Sequence, residues 1–344
     1  MSSSLLASAA ARDLPPDAGP DPVASRLDLT VTAVRPATPD ILAIRLGRPD
    51  GEPLPAWDAG AHVKVRLPDG DERSYSLINT TADPAASLRP TSYLVAVQLE
   101  PSGKGGSRFM HGLRPGDGLA VSPPANNFSL EPSDAPVVLV AGGIGVTPIV
   151  SMAAALTAAN RKYRCFYAGR SRDRLAFLAD LRTLAGTSLS IHADDEAGTV
   201  FDVAGLIGAL AGGEPLYLCG PTPMIDAAVA ASRRHGWPER RLRFEIFSAA
   251  APAVGDALFE VMLKSSGRRY RIPPDRTILD VLIEAGEDPL HDCKRGECGI
   301  CQAGIVEGIA DHRDHILSES EKAANRLIQI CVSRSRTPLL VLDL

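Results

Sequence analysis

The sequence predicts a multidomain α+β chain: an antiparallel β-barrel, then an α/β domain on a parallel sheet, then a small β-rich C-terminal domain. Three observations predict it. Short alternating apolar runs broken by Pro and Gly turns fill residues 26–130, and continuous apolar runs separated by helical stretches fill residues 131–248. Four of the six cysteines crowd residues 293–331. A chain of 344 residues has room for two or three domains of ~100–200 residues each.

In the first segment Leu27, Leu29 and Val31 alternate with polar partners, as do Val63, Val65 and Leu67, while Leu94-Val95-Ala96-Val97 is a short apolar run. Turn signals such as Pro68-Asp69-Gly70 and Pro115-Gly116-Asp117-Gly118 separate them, as in a small antiparallel barrel. After Pro132 the period changes. Val137-Val138-Leu139-Val140-Ala141 reads as a buried parallel strand, followed by a Gly-rich turn and a helix over 147–159. Further strands are expected at 164–168, 189–192, 216–218 and 242–247, with a helix at 223–235 before the last. Residues 249–256 read as a linker, and residues 257–344 are long enough for one more small domain. The Pro- and Ala-rich residues 1–25 read as a flexible tail.

Composition excludes some functions. Lys and Arg number 36 against 41 Asp and Glu, a net charge of −5, which argues against nucleic-acid binding through bulk charge. No window approaches the ~18 apolar residues of a membrane span. The N-terminus lacks the basic flank of a signal peptide, and clustered cysteines suit a metal site in a reducing compartment, so the cytoplasm is expected.

The cysteines carry the most specific signal. Cys293, Cys298 and Cys301, with Cys331 downstream, have the C-x₄-C-x₂-C…C spacing of a plant-type [2Fe–2S] centre. Gly296 and Gly299 let so short a loop curl and leave backbone N–H groups to face sulfur. The alternative is a structural zinc site, which favours paired C-x₂-C units, and only one occurs here. Upstream, a hairpin over 259–263 and 269–272 and a helix over 277–285 resemble the opening of a β-grasp ferredoxin.

Two strings in the barrel suit a flavin. Arg73-Ser74-Tyr75-Ser76-Leu77 offers a guanidinium for phosphate, a ring to stack and a hydroxyl for the flavin N5 edge. Gly105-Gly106-Ser107 precedes a helical stretch at 108–113, with Ser107 as its expected N-cap beside a phosphate. The nucleotide signal is Gly142-Gly143-Ile144-Gly145-Val146-Thr147-Pro148, between strand and helix, with Thr147 as the expected cap and Pro148 in the first turn. Cys219-Gly220-Pro221 ends a later strand at the carboxyl edge where α/β proteins bind ligands. Arg170 and Arg172 are candidates for the adenosine end, and Asp194-Asp195-Glu196 reads as a solvated turn.

In this order the three segments resemble the phthalate dioxygenase reductase family, which includes the reductase components of vanillate O-demethylase and carnitine monooxygenase. The resemblance covers residues 26–344 and rests on the strings quoted. It implies FMN, with FAD also open to the bare motif, together with NADH and a [2Fe–2S] cluster held by Cys293, Cys298, Cys301 and Cys331. It implies that Arg73 and Ser107 meet the FMN phosphate, that Ser74, Tyr75 and Ser76 line the flavin, and that Gly105 and Gly106 border the phosphate. It further implies that Gly142, Gly143, Gly145, Thr147, Pro148, Arg170, Cys219, Gly220, Pro221 and Phe247 line the nucleotide, and that Ser76, Cys219 and Glu245 lie nearest the reacting ring as the catalytic set. Lys104 stands where relatives often carry Arg. The implied function is hydride uptake from NADH and delivery of single electrons to a Rieske-type oxygenase component. Glu284, Glu287, Asp288 and Asp292 are a candidate acidic docking surface for that partner. Alternatives are a reductase for a haem or other monooxygenase and a flavin/iron–sulfur redox sensor. Asp311-His312-Arg313-Asp314-His315 is expected to be a polar surface loop rather than a metal site.

Overall fold

The structure is a computed structural model that describes residues 26–101, 103, 105–210, 212–247, 253 and 255–344. The expected tail at 1–25, Lys104 and most of the 249–256 linker lie outside the described residues. Among the described residues no helix is long and apolar enough to cross a membrane.

Six strands form the first sheet: β1 (Leu27–Thr38), β2 (Ile41–Gly47), β3 (His62–Arg66), β4 (Glu72–Ser76), β5 (Ser92–Gln98) and β6 (Gly118–Val121). Their order is β4-β3-β6-β1-β2-β5, and every pairing is antiparallel. Just past β4, the Ile78 N–H bonds the Leu94 carbonyl of β5 at 2.8 Å, which curls the sheet toward closure. Alternation drives this fold. Leu29, Val31, Ile44, Leu46, Val63, Val65 and Val95 point to one buried core, and their polar neighbours face outward. Two short helices decorate it, α1 (Ala85–Leu88) and α2 (Gly106–Gly112).

The second sheet is parallel, with β7 (Val137–Gly142), β8 (Tyr163–Gly169), β9 (Leu189–Ala193), β10 (Leu216–Cys219) and β11 (Leu242–Glu245) in the order β11-β10-β7-β8-β9. All six residues of β7 are buried because helices cover both faces. A core containing Leu139, Ile149 and Met152 lies on one side, and one containing Val140, Ile207 and Ile225 on the other. The helices are α3 (Val146–Ala158), α4 (Leu178–Ala185), α5 (Asp194–Ala197), α6 (Val203–Ala209) and α7 (Thr222–Arg234). The expected solvated turn at Asp194-Asp195-Glu196 is thus the single helical turn α5. Strand β11 stops at Glu245, two residues short of the expected end.

The third sheet, order β13-β12-β18-β14-β16, combines the hairpin β12 (Phe259–Leu263) and β13 (Arg269–Ile272) with β14 (Gln302–Glu307), β16 (Leu327–Gln329) and β18 (Leu339–Asp343). Parallel pairing of β12 with β18 and helix α8 (Ile278–Glu284) give the β-grasp arrangement. The Thr277 side chain accepts the Asp280 N–H at 3.0 Å and caps α8. A two-strand ladder, β15 (Ala310–Asp311) with β17 (Arg334–Ser335), and helix α9 (Glu319–Ala324) complete the domain.

A charge network ties the chain entering this domain to its interior. Asp256 receives both Arg313 Nη atoms, Arg334 Nε lies 3.7 Å away, and Arg334 also donates to the Arg276, Pro273 and Ala257 carbonyls at 2.8, 3.0 and 3.1 Å. Asp256→Asn leaves buried Arg334 and half-buried Arg313 short of counter-charge. It is expected to lower the stability of this domain by about 2–4 kcal/mol in denaturant unfolding at pH 7. The hydrogen bonds from Arg313 hold the Asp256 carboxyl down to about 2. The wild-type advantage is therefore full at neutral pH and shrinks as pH falls from about 4 toward 2. An equal gap at pH 7 and pH 3 would refute this account.

Candidate functional site

The two barrel strings expected at a flavin meet in space. Arg73 lies on β4, and its side chain packs over the start of α2. A Cβ at Gly106 would come within 3.0 Å of Arg73 Cγ and 3.3 Å of its Nε, so a side chain there would crowd the Arg73 side chain. Arg73 Nη1 is paired with Asp71 at 2.5 Å, with both side chains partly exposed. Tyr75 is largely buried, and burial pushes its phenol up to about 12. Ser76, at the end of β4, is buried and its Oγ has no hydrogen-bond partner. An orphan buried hydroxyl costs about 1–3 kcal/mol, so a polar ligand atom is the natural partner. That fits a flavin edge.

One expected cap is corrected here. Helix α2 starts two residues earlier than the sequence suggested, because Gly105 takes a left-handed conformation at its N-cap (φ 99°). Ser107 therefore lies inside the first turn. Its hydroxyl accepts the Glu100 N–H at 3.0 Å and closes the 100–107 loop, so only its main-chain N–H is left to face a phosphate.

The nucleotide turn shows a similar correction. Residues Gly143–Gly145 form a 3₁₀ turn that runs into α3, whose N-cap is Gly145. Thr147 is the second helical residue, and its hydroxyl donates back to the Ile144 carbonyl at 3.1 Å instead of capping. Pro148 does lie in the first turn, buried. The turn abuts the second string directly: a Cβ at Gly145 would fall 2.2 Å from the Cys219 carbonyl oxygen, and one at Gly142 would lie 2.6 Å from Pro221 Cδ. Gly142, Gly143, Gly145, Cys219, Gly220 and Pro221 thus form one continuous carboxyl edge of β7 and β10. Arg170 is exposed just after β8, and its carbonyl accepts the Asp195 N–H at 3.1 Å. Neighbouring Arg172 is paired with Glu196 at 2.5 Å.

Cys219 is wholly buried, and desolvation raises its thiol well above the ordinary value, which makes it a protonated packing residue rather than a nucleophile. Glu245 sits beside it in register on β11. Glu245 is buried, its Oε2 has no partner, and burial pushes its carboxyl up to about 8. Phe247 lies two residues on and packs against the core under β7.

The four clustered cysteines gather as two pairs. Cys301 Sγ lies 2.9 Å from Cys331 Sγ, and the Cys298 thiol donates to Cys293. That donation, together with N–H groups of Arg295, Glu297 and Cys298, lowers the Cys293 thiol below its ordinary value. Positive φ at Gly296 (76°) and Gly299 (79°) turns the loop, and Arg295 N–H points at Cys293 Sγ at 3.3 Å. Two thiol pairs with amide donors around them fit two irons bridged by sulfide.

The cluster loop is wedged against both other domains. Asp292 pairs with Lys64 on β3, and its second oxygen accepts Asn127 Nδ2 at 3.1 Å. Glu297 accepts the Ile246 N–H at 2.6 Å and lies 3.4 Å from Arg295. His62, opposite Ser76 in the β3–β4 register, is kept neutral, its imidazole lowered to about 4 by burial and by nearby Arg295. Asp292 is therefore an internal clasp and not part of an acidic docking face. Glu287 and Glu284 are also engaged, with Arg268 and Arg276 respectively.

The 311–315 string is likewise not a surface loop. Asp314 is buried and accepts the Leu317 N–H at 2.8 Å. The His315 N–H bonds the Gly296 carbonyl at 3.0 Å, and the His315 ring meets Phe244 edge-on at 5.7 Å. The string backs the cluster loop and fastens it to β11. Lys64, Asn127, Ile246 and Glu297 escaped sequence reasoning because their partners are 51–228 residues distant. Alternation in β3 marks Lys64 only as outward-facing.

Comparison with known proteins agrees with this layout. Residues 139–230 match the oxidoreductase NAD-binding domain family, and residues 261–336 match the 2Fe-2S iron-sulfur cluster binding domain family. The chain is 38% identical to tetrachlorobenzoquinone reductase of Sphingobium chlorophenolicum, over 93% of this chain and 98% of that one. It is 38% identical to vanillate O-demethylase oxidoreductase of Pseudomonas sp. strain HR199, over 92% of this chain and 100% of that one. The solved structure of phthalate dioxygenase reductase superposes with a TM-score of 0.72 at 35% identity, covering 93% of this chain and 98% of that one.

The raised Glu245 carboxyl means that folding takes up a proton near neutral pH. Its contribution to stability falls as pH rises from about 4.3, the unfolded value, to about 8. Glu245→Gln is expected to flatten that part of the decline in thermal melts taken between pH 5 and 8. An unchanged slope would mean that the carboxyl is already ionised in the folded protein.

Proposed function

The chain belongs to the phthalate dioxygenase reductase-like family of flavin- and iron–sulfur-dependent NAD(P)H oxidoreductases, and on that premise we propose that it uses FMN and NADH and serves a Rieske-type oxygenase component in the cytoplasm. The observation that carries this reading is the wedged cluster loop. One loop touches the barrel through Asp292 and the nucleotide domain through Glu297, so electron entry and exit share one junction.

A bound flavin would supply hydride acceptance and a bound cluster one-electron transfer, so that each NADH would give NAD⁺, one proton and two electrons in turn. The protein's own residues orient and enclose. Ser76 offers its unpaired hydroxyl to the flavin edge, Tyr75 supplies a ring face, and Arg73 with the first-turn N–H groups of α2 meets a single terminal phosphate, which suits FMN. Gly142, Gly143 and Gly145 let a pyrophosphate approach the start of α3, flanked by Thr147 and Pro148, while Cys219, Gly220, Pro221 and Phe247 shape the nicotinamide end. Glu245 stays protonated at neutral pH and adds no charge beside the ring. The four thiols hold the cluster.

NADH is favoured over NADPH because Glu196 already neutralises Arg172, the cation beside Arg170 that a 2′-phosphate would need. Among acceptors, an oxygenase component is favoured by the vanillate O-demethylase relative. A quinone acceptor is the second reading, drawn from the Sphingobium relative.

Protein purified without oxygen should carry flavin and two irons, release FMN on heating, and reduce a cognate Rieske component with NADH. Transfer to quinones alone would favour the second reading, and a bound flavin that NADH leaves oxidised would refute both. Ser76→Ala is expected to slow flavin reduction by NADH about tenfold or more in stopped flow, with the cluster spectrum intact. Glu196→Ala, which releases Arg172, should raise kcat/KM for NADPH relative to NADH several-fold; an unchanged ratio would remove Arg172 from cofactor choice.

A further inference from the structure

We propose that Glu297, inside the cluster loop, is a positioning residue for hydride transfer: its carboxylate holds the Ile246 amide and so fixes the strand end from Glu245 to Phe247. This inference deepens the reading above and rests on it, since that reading sets Glu245 and Phe247 at the nicotinamide.

The geometry is specific. β11 ends at Glu245, so the next N–H, that of Ile246, has left the ladder and must find an acceptor elsewhere. It finds Glu297 Oε2 at 2.6 Å, across a domain boundary. The side chains of Arg295 and Glu297 are 12% and 13% exposed, and their 3.4 Å approach keeps the carboxylate from swinging to solvent. Ile246 is itself buried, and Glu245 and Phe247 flank it with their side chains committed to the Cys219 edge and the core under β7. Among the described residues, the parallel ladder to β10 stops at the Cys219–Glu245 pair, and the Glu297 bond is the backbone hydrogen bond that follows it. Glu297 also sits between two expected cluster ligands, one residue from Cys298. The loop that holds the cluster is thus the loop that holds the nicotinamide-side strand end, and disturbance of one is felt by the other without any ligand in common.

The test uses the holoenzyme in three variants. Glu297→Ala deletes the acceptor. Glu297→Asp keeps the charge but withdraws it by one carbon, and Glu297→Gln keeps an acceptor oxygen at the same reach. Hydrogen exchange at the Ile246 amide reads the bond itself, NAD⁺ titration reads the binding site, and stopped-flow flavin reduction separates KM from kcat for NADH. The Ala and Asp variants are expected to speed Ile246 exchange and slow flavin reduction, each about tenfold, with cluster absorbance unchanged. The Gln variant should return both to within about twofold of wild type. Should Glu297→Ala lose its cluster, the Asp variant decides the matter. Faster Ile246 exchange with normal NAD⁺ affinity and normal flavin reduction overturns the positioning role, as does a Gln variant no better than Ala. A wild-type protein that does not reduce its flavin with NADH fails the functional reading itself, an outcome distinct from either of these.

Discussion

The cluster loop must present three of the four thiols within a short turn while lying at a junction of three domains, and its acidic groups Asp292 and Glu297 are matched across domain boundaries. Nearly all of the site's organisation follows from that constraint. Asp292 is met by Lys64 and Asn127 of the barrel, Glu297 by the Ile246 amide of the nucleotide domain, and Arg295 lies among His62, Glu245 and Glu297. A buried carboxylate without such partners would be driven to protonate or would open the interface to water. Polar pairs therefore fasten the cluster loop to its two neighbours, while the barrel and the nucleotide domain also share an apolar seam in which Ile41, Ala43, Leu94 and Ala96 pack into the core around Leu139 and Ile149.

Close packing does comparable work at the nucleotide edge. Strands β7 and β10 run parallel and end together, so the turn after one and the turn after the other are pressed into contact. Gly145 against the Cys219 carbonyl leaves no room for a methyl group. The same steric logic places Arg73 over Gly106 in the barrel, joining two strings that are thirty residues apart. In both cases glycine serves approach between elements rather than flexibility.

The segment from Asp311 to His315 shows how misleading polarity can be. Five consecutive charged or ionisable residues read as a solvated loop, yet Asp314 is buried and Arg313 is the counter-ion of Asp256. Three of the five have distinct partners: Arg313 meets Asp256 at the domain entry, Asp314 the Leu317 amide, and His315 the ring of Phe244 on β11, while both nitrogens of His312 are buried without a hydrogen-bond partner. Of the acidic residues before the cluster, Asp292 is taken up by contacts with the barrel, while Glu284 and Glu287 pair with arginines of their own domain and Asp288 stays exposed.

The sequence by itself determined the three sheets, the clustering of four cysteines and the glycine turns, because those signals are local: a period of two, an unbroken apolar run, a spacing of four and two between cysteines. It also placed the hairpin β12–β13 with its true ends, since alternation and turn chemistry coincide there. Helix starts were less legible. Ser107 and Thr147 look like caps, but a left-handed Gly105 and a preceding 3₁₀ turn moved each helix upstream of its expected hydroxyl. Only the tertiary structure decided that Lys64 meets Asp292 and that Ile246 meets Glu297. Those contacts join residues far apart along the chain, and a pairing that exists only when three separately formed cores come together leaves no periodicity or spacing in the sequence to announce it.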